Sequence, residues 1–216
     1  MPIETKKIVA AVQQAKKNAK KRKFTQAFDL IINLRNVDLK KPENRINELI
    51  ELPNQVGKAI KVCVIASGVL AVNAKNAGAD LVLEKEALEK LGENKKEAKK
   101  LADDYDFFVA EAPLMPTIGK SLGVVLGPRG KMPTPIPLNA AIEPVLTKHR
   151  KTARIRVKDQ PIIQCRIGDE NMPDEKIAEN VQAVMARLEQ KLEKGKRNIH
   201  KAYLKESMGP LVNFEL

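Results

Sequence analysis

The chain has 216 residues, with 39 Lys and Arg against 27 Asp and Glu, a net charge of +12 and a pI near 9.6. A positive excess of this size indicates a polyanionic partner, either a nucleic acid or an anionic membrane. No apolar run is long enough to cross a bilayer and MPIETKK lacks a signal-peptide pattern, so we expect a soluble, cytosolic protein that does not enter a membrane. Aromatic residues make up 3% of the chain and Trp is absent, which argues against stacking of successive single-stranded bases.

The first part of the chain predicts a helix followed by antiparallel strands. Apolar residues recur at helical spacing in IETKKIVAAVQQAKKNAKKR, which ends in a basic cluster from Lys16 to Lys23. Apolar and polar residues then alternate from Phe28 to Leu34 in QAFDLIINL, as in a strand buried on one face. A basic loop, RNVDLKKPENR, leads to a second strand in INELIEL.

From Val56 the character of the strands changes. The next apolar runs, KAIKVCVIA, ADLVL and DFFVAE, are short and continuous, as expected of strands covered on both faces. Helical segments separate or follow them: GVLAVNAKNAG, EKEALEKLG and NKKEAKKLADDY. Repeated alternation of strand and helix predicts parallel βαβ units, which the helix in NAAIEPVLTKHRK closes.

Two-residue alternation then returns. In TARIRVK, the cations Arg154, Arg156 and Lys158 lie on one side of a strand and apolar residues on the other. We expect QPIIQCRIG to be the partner of this strand and MPDEKIAENVQAVMARLEQKLEKG to form a long amphipathic helix. The segment IHKAYLKESMGPLVNF predicts two strands broken at Gly209 and Pro210.

This order of elements predicts an α+β discontinuous domain, an antiparallel sheet with helices, that carries an inserted α/β three-layer Rossmann-like domain. The discontinuous domain comprises residues 1–55 and 153–216, and the insert comprises residues 56–152. The two chain crossings between them are the expected hinge. Most of the net positive charge falls in the discontinuous domain, which is therefore the expected polyanion binder.

Neither the cysteines nor the histidines form a metal or catalytic pattern. Cys63 and Cys165 lie inside apolar strand-like runs, where a free cysteine is typically a small buried side chain. His149 and His200 have no Cys or His partner at metal-ligand spacing. We therefore expect no metal and no cofactor.

The stretch VVLGPRGKMPTPIP resembles a phosphate-binding loop but lacks its spacing. A P-loop would require glycine where Val125 stands and a hydroxyl where Met132 stands. Two interpretations remain open: a Gly/Pro connector that carries two surface cations, or an auxiliary phosphate contact through Arg129 and Lys131.

The segment SMGP also has two interpretations. It can be a Gly-Pro turn that merely links two strands. Alternatively, Gly209 and Pro210 let an RNA backbone approach closely, the Ser207 hydroxyl bonds a ribose 2′-OH, and Met208 contacts a base or sugar face. Phe24 is likewise either a core residue or a partly exposed ring at a binding edge.

Four stretches together resemble one family: KFTQAFD from Lys23, KKPENR from Lys40, LMPTIGKSLGVVLGPRGKMPTP from Leu114 and AYLKESMGP from Ala202. They resemble the universal ribosomal protein of the large subunit's lateral stalk, the ribosomal protein L-one family, in its archaeal form and over essentially the whole chain. The resemblance implies binding of large-subunit ribosomal RNA at the mobile stalk beside the exit site. It also implies assistance in the release of deacylated tRNA and repression of translation of the protein's own mRNA.

The resemblance further implies that the main RNA surface lies on the discontinuous domain, with contacts at Lys23, Phe24, Asp159, Lys201, Ser207, Met208 and Gly209. The basic loop, the basic strand face and the Gly-Pro turn add Lys40, Lys41, Arg45, Arg154, Arg156, Lys158 and Pro210. Ala27 stands where many relatives have a hydroxyl, and Gln160 where many have Lys, so the chain departs from the family pattern at both positions.

We therefore expect a non-enzymatic, ribosome-associated protein that is monomeric away from the ribosome, with ribosomal RNA, exit-site tRNA and its own mRNA as partners. One alternative is a nucleotide-dependent enzyme that uses the inserted domain, where the turn in IASGVL occupies the usual ligand crevice. No catalytic nucleophile with a general base as its partner can be named from the sequence to support that alternative. A generic binder of anionic surfaces is a third class, and it would not distinguish RNA from DNA.

Overall fold

The computed structural model describes residues 5–39, 46–57, 59–138, 141–157 and 160–214. The chain divides into two compact units: unit 1 is Met1–Lys58 with Lys151–Leu216, and unit 2 is Ala59–Arg150. The expected boundary after residue 55 differs from this division, because Val56 is buried in the core of unit 1. In the described part of the chain, no helix has the length and apolarity needed to span a membrane.

The helices and strands follow one another along the chain as follows: α1 (Thr5–Asn18), β1 (Ala27–Leu34), β2 (Asn47–Glu51), β3 (Val62–Ile65), α2 (Gly68–Asn76), β4 (Leu81–Leu83), α3 (Lys85–Glu93), α4 (Lys95–Asp104), β5 (Phe107–Glu111), α5 (Met115–Ser121), α6 (Gly123–Arg129), β6 (Thr134–Ile136), α7 (Ile142–Arg150), β7 (Thr152–Arg156), β8 (Ile162–Asp169), α8 (Asp174–Lys191), β9 (Ile199–Glu206) and β10 (Val212–Phe214).

The larger sheet of unit 1 is antiparallel and has the strand order β10-β9-β1-β8. One of its faces is buried under α1 and α8, where Phe28, Leu30 and Ile32 of β1 have no exposed surface. The alternation in QAFDLIINL therefore correctly predicted a strand covered on one side. We call the other side of this sheet, which carries the opposite residues of each strand, its open face.

A second, two-stranded sheet of unit 1 pairs β2 with β7, with Leu49 opposite Arg154. The prediction that β8 is the partner of β7 is wrong, since β8 pairs with β1. Alternation shows which side of a strand is buried but does not identify its neighbour. Both sheets nevertheless bury their apolar side chains in one core, which includes Ile155 of β7 and Ile163 of β8.

Unit 2 contains a parallel sheet of order β4-β3-β5-β6 and its own apolar core. Strands β3 and β5 are buried along their whole length, which confirms the α/β character predicted from their continuous apolar runs. The first six residues of VVLGPRGKMPTPIP, up to Arg129, form most of α6 instead of a connector, and α5 precedes α6. Ile118, Leu122 and Leu126 are buried at four-residue intervals across these two helices. Gly130, with φ of 69°, ends α6 in the left-handed conformation that glycine adopts most readily.

Candidate nucleic-acid interface

The antiparallel pairing of β1 and β9 brings two distant segments of the chain together. Phe28 lies opposite Glu206, so the residues before β1 lie beside the residues after β9. The backbone N–H of Ser207 donates to the carbonyl oxygen of Ala27 at 3.0 Å, and that of Met208 donates to Oε1 of Gln26 at 3.2 Å. We call the surface formed by residues 23–26 and 207–210 the turn surface.

Two large apolar side chains of the turn surface face solvent. Phe24 is 52% exposed and Met208 is 60% exposed. Phe24 is therefore a partly exposed ring and not a core residue, and its place at a binding edge stays a prediction. Lys23 beside it is also exposed. An exposed aromatic ring, a thioether and a cation together can stack on bases and attract phosphate.

Gln26 is buried beneath the turn surface and links its two segments by a hydrogen bond, although the sequence analysis assigned it no role. It is 1% exposed, and its Nε2 donates to the carbonyl oxygen of Lys20 at 3.1 Å and to Oε2 of Glu170 at 3.5 Å. Its position could have been inferred, since residue 26 shares the parity of the buried residues of β1. A buried polar side chain on such a face requires hydrogen-bonding partners.

Ser207 extends the ladder between β9 and β1 with its side chain. Its Oγ accepts a hydrogen bond from the backbone N–H of Ala27 at 3.1 Å and is 3.4 Å from the carbonyl oxygen of the same residue. The hydroxyl therefore holds residues 207 and 27 together, whatever else it contacts.

Gly209 packs closely against its neighbours inside unit 1. A Cβ at this position would lie 3.3 Å from Cβ of Ala19 and 3.4 Å from Cβ of Glu206. Its N–H donates to the carbonyl oxygen of Glu206 at 2.9 Å. Burial and the nearby carboxylate of Glu170 raise the pKa of Glu206, while Lys16 opposes the shift. A side chain at residue 209 would point towards Ala19, which follows α1, so the glycine lets the turn pack against the end of this helix.

A pocket of about 390 Å³ opens beside the turn surface, within unit 1. Its lining includes five polar side chains and one glycine: Thr25, Arg166, Asp169, Asn171, Ser207 and Gly57. Sequence analysis predicted a role for Ser207 alone among these six. The others come from three distant parts of the chain, at Thr25, at Gly57 and at residues 166–171, which the fold brings together.

The open face of the larger sheet carries a row of charged residues next to the pocket. Asp29 of β1 lies between Lys205 of β9 and Arg166 of β8. Burial raises the pKa of Asp29, and the two cations oppose this shift. Lys201 also lies on β9 but is opposite Asn33, so about 20 Å of strand separates it from Ser207.

The basic strand face has the predicted alternation. Ala153, Ile155 and Val157 are buried, whereas Arg154 and Arg156 are half-buried on the other side of β7. Burial and repulsion by Arg156 lower the pKa of Arg154. The other cations of this group and the neighbouring acid lie outside the described residues: Lys40, Lys41, Arg45, Lys158 and Asp159.

Arg129 and Lys131 lie in unit 2, where both contact the end of α4. Arg129 is the last residue of α6, and its Nη1 is 2.5 Å from Oδ1 of Asp103. The Nζ of Lys131 donates to the carbonyl oxygens of Ala102 and Tyr105 at 2.8 and 2.7 Å. Both cations therefore contribute to the structure of unit 2.

The crevice at the carboxyl ends of β3 and β5 contains a carboxylate of the protein itself. Glu111 is 3% exposed, and its Oε2 accepts hydrogen bonds from the N–H of Ser67 at 2.9 Å and from its Oγ at 2.8 Å. Ser67 is the N-cap of α2, where a nucleotide phosphate would bind in a doubly wound fold. Burial raises the pKa of the Cys63 thiol in β3 to about 12. Within the described ranges, no group of His, Cys, Asp and Glu could hold a metal ion.

The two units and this surface define a two-part α/β protein in which an antiparallel, basic unit carries an inserted parallel one. The chain belongs to the ribosomal protein L1p/L10e family, whose model matches residues 15–210 and so includes both segments of the turn surface. It is 52% identical over 205 residues to a protein of Methanothermobacter thermautotrophicus named large ribosomal subunit protein uL1, covering 95% of this chain and 97% of the relative. Proteins of the same name from Archaeoglobus fulgidus and Pyrococcus horikoshii are each 46% identical and cover 98% and 100% of this chain, and 99% and 98% of their own lengths.

Proposed function

We propose that this chain is a structural protein of the large ribosomal subunit, of archaeal type, which binds large-subunit ribosomal RNA mainly through unit 1. The observation that carries the proposal is the turn surface, where Phe24 and Met208 are exposed beside Lys23 on a chain of net charge +12. Exposed apolar side chains that stack on bases, with cations nearby, are what a site for folded RNA requires. The names of the relatives support the ribosomal role.

The same proposal includes the mobile stalk beside the exit site as the place of binding, assistance in the release of deacylated tRNA, and repression of the protein's own mRNA. A site that recognises RNA shape accepts a second RNA that presents the same fold, which gives a physical basis for repression. Seven further cations of unit 1 extend the contact to phosphates: Lys40, Lys41, Arg45, Arg154, Arg156, Lys158 and Lys201. Arg129 and Lys131 are auxiliary contacts from unit 2, and the protein is a monomer away from the ribosome.

The protein is not an enzyme in this proposal. In unit 2, the Glu111 carboxylate occupies the position at the start of α2 where a phosphate would bind, and two negative groups cannot share it without a large electrostatic cost. The thiol of Cys63 is buried and protonated at neutral pH, so it supplies no nucleophile.

The experiment compares binding of the full chain to a folded fragment of large-subunit ribosomal RNA, duplex DNA of equal length, and free nucleotides, at one salt concentration. We expect tight binding to the RNA, weak salt-sensitive binding to the DNA and none to the nucleotides. A chemical footprint should then map the protected nucleotides to one region of the RNA. Equal affinity for RNA and DNA would favour a generic binder of anionic surfaces, and saturable nucleotide binding would favour the enzyme.

A further inference from the structure

The pocket beside the turn surface has a fixed acceptor on its wall. Asp169 is 6% exposed, and its Oδ1 accepts a hydrogen bond from the backbone N–H of Asn171 at 3.2 Å. Its Oδ2 lies so close to Gly57 that a Cβ there would be 1.6 Å away. An ionised carboxylate has about four acceptor sites, and the described residues use one of them. A buried carboxylate with unused acceptor sites is suited to a ligand that supplies donors.

Arg166 supplies donors on another side of the same pocket. Its Nε donates to the carbonyl oxygen of Gly168 at 3.4 Å, while the described residues accept nothing from its two terminal nitrogens. Arg166 and Asp169 place opposite charges on the lining of the pocket, and Asp29 of β1 lies opposite Arg166. A free phosphate would therefore meet repulsion from Asp169, whereas a neutral polar ligand with donors and an acceptor on one edge would satisfy both side chains.

We propose that this pocket holds one unpaired guanine of the bound RNA, with its Watson–Crick edge against Asp169 and Arg166. The inference rests on the proposed RNA-binding function and names the base that the site selects. Guanine presents two adjacent donors, N1–H and N2–H, to the carboxylate and one acceptor, O6, to the guanidinium. A volume of about 390 Å³ is at the small end of the range for ligand pockets, about 300–1,000 Å³, and suits a single base.

The other three bases fit the same two side chains less well. Adenine would place its N1 acceptor against the Asp169 carboxylate. Cytosine has a single donor group on this edge, its amino group, and its N3 and O2 acceptors would be repelled by the carboxylate. Uracil has one donor, between two acceptors. Bases that are splayed out of a folded RNA are read by hydrogen bonds on this edge, so one guanine in a loop or bulge is the expected occupant.

The test uses the full chain and a pool of RNA hairpins whose loops are randomised over eight nucleotides. We expect selection with the wild-type protein to fix guanine at one unpaired position. Replacing that guanine by inosine, which lacks the N2 amino group, should lower affinity about tenfold or more, the usual effect of losing a hydrogen bond to a charged group. With Asp169→Asn, the inosine penalty should become smaller, because an amide has one oxygen acceptor and no charge in place of the two oxygens of the carboxylate.

Arg166→Gln is a second variant in case Asp169→Asn fails to fold, and it should also abolish the enrichment of guanine. Arg187→Gln is its matched control, since it removes the same charge from an exposed residue of α8 and should leave the enrichment unchanged. Selected RNAs without a fixed guanine, or an equal inosine penalty in the wild type and Asp169→Asn, would overturn the pocket and leave RNA binding intact. If no RNA in the pool binds the protein, both proposals are overturned.

Discussion

The side chain of Gln26 accepts a hydrogen bond from the backbone N–H of Met208 at 3.2 Å, although 182 positions separate the two residues along the chain. This contact fixes the turn that exposes Met208 to the segment that exposes Phe24. Because Gln26 is 1% exposed, its amide cannot exchange these partners for water without opening the fold.

Gln26→Ala should therefore destabilise unit 1 by about 1–3 kcal/mol, the cost of leaving buried hydrogen-bonding groups without partners. RNA affinity should fall as well, because the two halves of the turn surface are no longer held in register. Gln190→Ala on the exposed side of α8 is the matched control and should change neither quantity by more than about 0.5 kcal/mol. Urea unfolding and RNA titration measure both effects, and wild-type stability in Gln26→Ala would contradict the role given to this side chain.

Removing the exposed side chains of the turn surface should weaken RNA binding without changing its salt dependence. Phe24→Ala and Met208→Ala remove no charge, and each should cost about 1–3 kcal/mol of binding if its side chain packs on a base. Their stability should stay near wild type because both residues are more than half exposed. Val124→Ala, 76% exposed in unit 2, is the control. Unchanged RNA affinity in both turn variants would exclude the turn surface as the RNA site.

Gly209→Val should act through the fold, since its side chain would meet Ala19 and Glu206. We expect a loss of about 1–3 kcal/mol of stability from overpacking. Ala19→Gly removes the nearest atom, so the double variant should recover part of this loss. Thermal unfolding of the two single variants and the double variant measures the coupling between the sites. A stable Gly209→Val protein with no coupling to residue 19 would mean that the turn packs differently.

Lys131→Met should destabilise unit 2, because the Nζ of Lys131 donates to two carbonyl oxygens at the end of α4. The expected loss is about 1–3 kcal/mol, and Lys120→Met, at an exposed residue of α5, should cost far less. If Lys131 also contacts one RNA phosphate, the slope of log affinity against log salt should fall by about one unit. A normal slope in a folded Lys131→Met protein would exclude the auxiliary contact.

Unit 1 should fold without unit 2. Its core residues all come from unit 1. The N–H of Leu52, five residues before the end of the first segment, donates to the carbonyl oxygen of Lys151 at 2.8 Å. A chain that joins residues 1–57 to 151–216 through a short Gly-Ser linker should unfold cooperatively and retain most RNA affinity. Ending the first segment at residue 55 removes the buried Val56 and should lower stability. Circular dichroism and RNA titration test both chains, and RNA affinity no better than that of isolated unit 2 would contradict the placement of the site.

The sequence by itself determined the class of each half and most of its elements. Alternation in β1 and β7 and continuous apolar runs in β3 and β5 follow directly from which faces are covered, so they could be read without a structure. The sequence also contained a helical, four-residue spacing of Ile118, Leu122 and Leu126 across α5 and α6, but the glycines and prolines of the stretch concealed it. The exposed Phe24 and Met208 were within reach as candidates because their segments resemble a known family.

Only the tertiary structure decided which strands are neighbours and what lines the site. The pairing of β8 with β1 places Arg166 beside Asp29 and brings Asp169 to the end of the sheet. The pairing of β9 with β1 brings Ser207 to Ala27. Strand pairing depends on contacts between residues more than a hundred positions apart, and neither propensity nor periodicity encodes the partner. Tertiary packing likewise decides that a side chain at residue 209 would contact Ala19.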